Sequence, residues 1–198
     1  MYALSAIAGG AATLLSAALV QFAVQPSVPD TQWSCPWPSD TFVLVCAVYA
    51  VLHALVLVGV FGFASSGAAG TSRVARTGGA LAVIGTGVLL VAELASIPFR
   101  AEALDATGPS LVGALFGLGT LLIGVGFLMA GVTTLRAGVW QGWRRYVPLA
   151  AGVWTTVLVG LAATGGLTVG VGVYGLCMLL LGVAMRTPVP ATTARIAA

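Results

Sequence analysis

Long apolar stretches constrain this chain more than any other feature. Of its 198 residues, 59% are hydrophobic and only 7% are charged, and apolar runs close to 20 residues long recur along the sequence. A helix needs about 20 apolar residues to cross a hydrocarbon core of roughly 30 Å. A soluble domain of this length needs far more polar surface. The sequence therefore predicts an all-α integral membrane protein.

The apolar runs divide the chain into six candidate spans within one domain, 1–198. They cover about 4–24, 41–64, 77–98, 109–134, 147–165 and 167–185. Only TGG (164–166) separates the last two, which suits a helical hairpin with glycines at its turn. The alternative is one long re-entrant segment. The first run has no basic residue before Arg73, so it lacks the n-region of a signal peptide and is interpreted as a spanning helix.

The charged residues predict how the bundle is oriented. All eight basic residues are arginines, and seven lie in segments without an acid: Arg73, Arg76, Arg136, Arg144, Arg145, Arg186 and Arg195. Loops 25–40 and 99–108 hold four of the five acids. The positive-inside rule then places both termini in the cytoplasm and these two loops outside. Arginine without lysine, in an Ala/Gly/Val-rich chain, suggests a GC-rich bacterium and hence its inner membrane.

Several functional classes are excluded. The absence of lysine excludes a retinal Schiff base, and a single histidine excludes a haem or metal site built on paired histidines within a monomer. Cys35, Cys46 and Cys177 have no zinc-binding spacing. No basic cluster exceeds Arg144–Arg145, so we expect no nucleic-acid partner. We predict no metal and no cofactor.

Glu93 is the ionisable side chain that is least expected in a membrane-spanning helix. It lies in LLVAELASIPFRAE (89–102), roughly 7 Å outward of the middle of the third span at 1.5 Å per residue. An ionised carboxylate there is costly, so we expect it to be neutral, paired or facing a wet cavity. Thr86, Glu93 and Arg100 share one helix face. A structural pair with the long Arg100 side chain is the alternative to a functional acid.

His53 belongs to a second polar stripe, near the middle of the second span. Cys46, Tyr49 and His53 follow a 3–4 spacing. The second and third spans are joined by a short loop, so we expect them to pack side by side, where the two stripes can meet. Two interpretations stay open for His53: a neutral histidine hydrogen-bonded within the bundle, or a proton donor or acceptor paired with Glu93.

Aromatic residues collect near the predicted outer ends of the second and third spans. Loop 25–40 contains four prolines together with Trp33 and Trp37, and Phe42 and Phe99 lie close by. Proline excludes a regular helix in this loop, while tryptophan suits the membrane–water interface. The loop is either an interfacial anchor or a lid over an outward-facing cavity. The four aromatic residues are candidate walls of a pocket around the acid.

Two further patterns concern packing. Gly113–Gly117 and Gly166–Gly170 have the GxxxG spacing that allows helices to approach closely. Trp140, Trp143 and Tyr146 lie beside the Arg144–Arg145 pair, which is typical of an aromatic girdle at the inner interface.

The segments AELASIPFRAE (92–102) and LRAGVWQGWRRYVPLAAGVW (135–154) resemble small multi-span membrane proteins of actinobacteria. These include the membrane-bound terpene cyclases of bacterial indole-sesquiterpenoid pathways of the drimentine and xiamycin kind. The resemblance covers roughly the middle half of the chain. It implies a metal-independent cyclase, an isomerase or lyase of terpenoid biosynthesis. Such an enzyme takes a prenylated small molecule from the membrane lipid, protonates an alkene or epoxide and guides a carbocation through ring closure.

The chemistry of the residues suggests their roles in such an enzyme. A cyclase needs an acid kept protonated by a dry site, aromatic faces that stabilise cations and exclusion of water. The predicted catalytic set has Glu93 as the acid and His53 or Tyr49 as the final proton acceptor, with Arg100 beside them. The predicted substrate-binding set is Trp33, Trp37, Phe42, Phe99 and Thr86.

The competing hypothesis is a protein without enzymatic activity. Glu93, Arg100 and His53 would then form an interhelical lock in an accessory subunit or a proton relay in a small transporter. The sequence lacks the internal repeats and broken helices typical of transporters. It leaves the substrate and the oligomeric state open.

Overall fold

A computed structural model describes residues 1–161 and 166–186 of the chain. Within these ranges all regular structure is helical, as predicted. The helices are α1 (Tyr2–Ala23), α2 (Ser39–Ser65), α3 (Arg73–Ala95), α4 (Thr107–Ala137), α5 (Val147–Leu161) and α6 (Leu167–Arg186). Short 3₁₀ turns follow α3 at Ile97–Phe99 and precede α5 at Gly142–Tyr146.

Five of these helices are long and apolar enough to cross a membrane. They are α1, α2, α3 together with its 3₁₀ extension, α4 and α6. The described part of α5 has 15 residues, which gives about 22 Å at 1.5 Å per residue. The predicted end of the fifth span and most of the TGG turn fall on 162–165, outside the described residues, as does Arg195.

The six helices form a closed ring in chain order, each packed against the next and α6 packed against α1. Adjacent helices run antiparallel. At the seam that closes the ring, Gly10 of α1 lies against Leu179, whereas Gly182 lies against Ala3 and Ile7. The beginning of α1 and the end of α6 are therefore at the same end of the ring.

The two ends of the ring differ in charge. One end, called the arginine-rich end below, carries Arg73, Arg76, Arg136, Arg144, Arg145 and Arg186. Segments 24–38 and 100–106 cover the opposite end and are called the cap. They are joined by backbone hydrogen bonds from Trp33 N to Glu102 O (2.9 Å) and from Leu104 N to Thr31 O (2.8 Å).

Small residues determine how closely the helices approach. A Cβ atom on Gly85 of α3 would lie 2.7 Å from the Gly119 oxygen of α4, and one on Gly126 would lie 2.5 Å from the Ala82 nitrogen. Backbone therefore packs directly on backbone along this seam. Gly113 and Gly117 face open space, so the close approach predicted from their spacing is wrong. The glycines of α4 that pack on α3 are Gly119 and Gly126, seven residues apart, whereas Gly124 and Gly131 pack on α5.

Aromatic side chains fill the interior toward the arginine-rich end. The rings of Phe63 and Phe127 stack with their centroids 5.9 Å apart, and Trp140 tilts against Phe63 at 5.6 Å. Trp140 is only 4% exposed, so the prediction that it forms part of an interfacial girdle is wrong. Trp143 and Tyr146 are half exposed, as girdle residues should be.

Candidate functional site

Glu93 and His53 meet between α3 and α2. The Oε2 atom of Glu93 lies 3.9 Å from Nδ1 of His53, and the two side chains are 13% and 17% exposed. This is the one acid–base contact found in the described residues. The separation exceeds a hydrogen bond, but it lies well within the range of a strong electrostatic interaction in a medium of low dielectric constant. The predicted meeting of the two polar stripes is thus observed.

Cys46 completes this cluster from α2. Its side chain is 1% exposed, and its thiol lies beside the Glu93 carboxyl group. Cys46 and His53 lie two helical turns apart on one face of α2. Glu93 therefore lies between a thiol on one side and an imidazole on the other, and α2 supplies both.

The backbone of α2 sets the tautomer of His53. Nδ1 lies 3.0 Å from the carbonyl oxygen of Tyr49. A carbonyl oxygen only accepts hydrogen bonds, so Nδ1 carries the hydrogen and the other ring nitrogen, Nε2, keeps its lone pair in the neutral ring. Tyr49 thus acts on the site through its main chain. Nε2 is the basic atom of the pair.

Arg100 does not reach Glu93. Its Nη1 atom donates to the Ile97 carbonyl oxygen at 3.1 Å, and no ion pair joins it to Glu93 within the described ranges. The reason lies in the backbone, because α3 ends at Ala95 and continues as a 3₁₀ turn containing Pro98. The change of helix type breaks the seven-residue register on which the shared face depended.

Thr86 lies deeper in the ring than Glu93 and makes a separate polar contact. It is completely buried, and its hydroxyl donates to the Ala82 carbonyl oxygen at 2.8 Å. The side chain of Tyr174 in α6 contacts it, although the Tyr174 hydroxyl forms no hydrogen bond of full geometry. The sequence analysis overlooked Tyr174. Its position as the only tyrosine in α6 was the available signal.

The four predicted wall residues all lie at the cap end and are half-buried. The ring of Phe99 packs against Gly108 at the start of α4. The indole Nε1 of Trp33 is buried without a hydrogen-bond partner. Across the described part of the chain, none of the aromatic ring pairs includes Trp33, Trp37, Phe42 or Phe99.

Gln32 fastens the cap to the ends of two helices. Its side-chain nitrogen donates to Ser34 Oγ at 2.9 Å, to Ser39 Oγ at 3.3 Å and to the Arg100 carbonyl oxygen at 3.3 Å. The bond to Ser39 joins the 24–38 segment to the start of α2, the bond to Arg100 joins it to the second cap segment after α3, and the bond to Ser34 stays within the segment. Any movement of this segment as a lid must break them.

Among the residues that the structure describes, no group of three or more His, Cys, Asp or Glu side chains is placed so that it could hold a metal ion, and this includes the Cys46, His53 and Glu93 cluster. Two open grooves lie at the arginine-rich end. Neither is lined by Glu93 or His53.

The fold and the site together define a class: a multi-pass helical membrane protein with one acid–base cluster between α2 and α3. Comparison of the chain with protein-family models, with curated proteins and with solved structures finds no match.

Proposed function

We propose that this chain is an integral membrane enzyme of the terpene cyclase type. Glu93 is the proton donor and His53 the proton acceptor, and the substrate is a prenylated molecule dissolved in the bilayer. The observation that carries the proposal is the approach of the Glu93 carboxyl group to the His53 ring within an apolar ring of helices. An acid and a base in contact are costly in such surroundings, which makes function the first explanation for them.

The proposed reaction is balanced in protons. Protonated Glu93 adds its proton to an alkene or epoxide of the substrate, which leaves a carboxylate and a carbocation. After ring closure, Nε2 of His53 removes one proton from the cation, and the product keeps the atomic composition of the substrate. The imidazolium then carries a proton on Nδ1, the atom 3.9 Å from Glu93. That proton stays hydrogen-bonded to the Tyr49 carbonyl oxygen, and the proton taken up by Nε2 returns to the Glu93 carboxylate through water, which restores the acid, the base and the starting tautomer.

Two neighbours support these roles. The Cys46 thiol lies beside Glu93 and offers an S–H donor to the carboxylate formed after proton donation. The Tyr49 carbonyl holds the tautomer in which Nε2 is basic. Tyr49 therefore acts as a positioning residue in place of the proton acceptor considered from the sequence.

The proposal includes six membrane spans, with both termini in the cytoplasm of a bacterium and the chain in its inner membrane. Support comes from α5, which packs between α4 and α6 and runs antiparallel to both. The collection of six arginines at one end of the ring agrees with the positive-inside rule.

The test is product formation by Glu93→Gln in membranes supplied with a prenylated indole. This change keeps the shape of the side chain and removes the acid. Glu102→Gln is the matched control. Glu102 is an exposed cap residue, and the hydrogen bond from Trp33 goes to its main-chain oxygen, which the substitution keeps. We expect cyclised product at similar rates from the wild type and from Glu102→Gln, and a rate lower by about 100-fold or more from Glu93→Gln.

Normal turnover by a folded Glu93→Gln variant would eliminate the general-acid mechanism. A wild-type protein that forms no cyclised product and purifies with a second protein would favour an accessory subunit. Proton uptake into vesicles that depends on Glu93 would favour a transporter.

A further inference from the structure

Arg144 is a buried charge that the proposed reaction does not use. It lies in the 3₁₀ turn before α5 and is only 6% exposed. A buried guanidinium destabilises the fold unless its charge and its donors are compensated. The described residues give it no acidic partner, since the one ion-pair contact among them joins Glu93 and His53.

Protein contacts satisfy only part of this side chain. Its Nε atom donates to the Ala184 carbonyl oxygen at 2.9 Å, in the last turn of α6, where the helix dipole is negative. Its guanidinium carbon lies 5.2 Å from the ring centroid of Trp140. Arginine has five N–H donors. Among the hydrogen bonds between described residues, only the Nε donor of Arg144 takes part.

A groove of about 530 Å³ lies beside Arg144 at the arginine-rich end. Its lining includes Tyr2, Ser65, Ser66, Trp140, Arg144 and Arg186. The first turn of α1 contributes backbone N–H groups without a side-chain cap, and such groups favour anions. Neither aspartate nor glutamate belongs to the lining. The charged side chains in the described lining are therefore both arginines, Arg144 and Arg186, although the carbonyl ends of α2 and α6 also border the groove.

We propose that this groove binds a phosphate group, held by the terminal nitrogens of Arg144 and by Arg186. The planar guanidinium fork matches two phosphate oxygens, and burial strengthens the pairing. The phosphate belongs either to a small soluble molecule or to a phospholipid headgroup at the membrane surface. This site is separate from the Glu93–His53 cluster and does not depend on the cyclase proposal.

The experiment measures the unfolding temperature of the intact protein in a neutral detergent. One arm titrates inorganic phosphate at an ionic strength held constant with sodium chloride. The other arm compares nanodiscs of phosphatidylglycerol with nanodiscs of phosphatidylcholine. The variants are Arg144→Gln and Arg186→Gln. Arg145→Gln is the matched control, because Arg145 is adjacent and carries the same charge but stacks on Tyr146 outside the groove lining.

We expect a saturable rise in unfolding temperature for the wild type and for Arg145→Gln, and an apparent affinity about tenfold weaker for each groove variant. A response to inorganic phosphate identifies a soluble ligand, and a response to phosphatidylglycerol alone identifies a lipid. If Arg144→Gln does not fold, the Arg186→Gln variant tests the proposal. The Arg186 side chain is exposed and makes no structural hydrogen bond with the described residues, so its loss should not prevent folding. Equal responses in groove variants and control, or no response of the wild type in either arm, overturn the proposal.

Discussion

Replacing Gly126 by alanine tests the seam between α3 and α4. The new methyl carbon would lie 2.5 Å from the Ala82 nitrogen, whereas ordinary van der Waals contact begins at 3.4 Å, so it lacks about 0.9 Å of space. The Gly78 oxygen, 2.7 Å away, blocks a second direction. Both obstacles are backbone of α3 and cannot rotate aside, so the two helices must separate. Overpacking of this kind costs about 1–3 kcal/mol.

Gly117→Ala in the same helix is the control, because a methyl group there meets nothing within 4 Å. It should gain about 0.5–1 kcal/mol, since alanine loses less backbone entropy than glycine in a helix. The assay is the free energy of unfolding in mixed micelles, followed by circular dichroism. We expect opposite signs for the two changes. A Gly126→Ala variant as stable as the wild type, or an equal loss in both variants, would refute the α3–α4 packing described above.

Two further changes test other seams. Trp154→Phe removes the indole N–H that donates to the Gly170 carbonyl oxygen at 2.9 Å between α5 and α6. The loss should lower the free energy of unfolding by about 1 kcal/mol. An unchanged unfolding midpoint would show that this bond does not join the two helices. Gln32→Ala removes the side-chain hydrogen bonds that fasten the cap. Hydrogen exchange at the Trp33 and Leu104 amides should therefore accelerate, while exchange in α4 stays unchanged. Unaltered exchange at both amides would mean that the cap is held without Gln32.

Hydropathy predicted the helices well, because a backbone surrounded by lipid must satisfy its hydrogen bonds within a helix of apolar residues. The predicted 41–64 span corresponds to α2, Ser39–Ser65, and the predicted 109–134 span lies within α4, Thr107–Ala137. The closure of the ring was not predictable. It depends on which faces of α1 and α6 carry small residues that allow close approach. In a glycine-rich chain, the spacing of glycines does not distinguish positions in a helix contact from positions that face open space.

The polar cluster was predictable only where a regular helix persists. Cys46 and His53 stay in register because α2 is continuous between them, and the acid on the next helix meets their face. Arg100 left that register because the chain changes to a 3₁₀ turn after Ala95. The contact between Thr86 and Tyr174 joins helices far apart in sequence, and no local pattern encodes such a pairing.

A double-mutant cycle of product formation tests the central claim most directly. The initial rate of cyclised product is measured for the wild type, Glu93→Gln, His53→Gln and the double variant, in membranes containing the same amount of folded protein. Residues that act as one unit lose function non-additively. The account predicts that the double variant is no slower than the slower single variant. Losses that multiply in the double variant, or a Glu93→Gln variant with the wild-type rate, would contradict it.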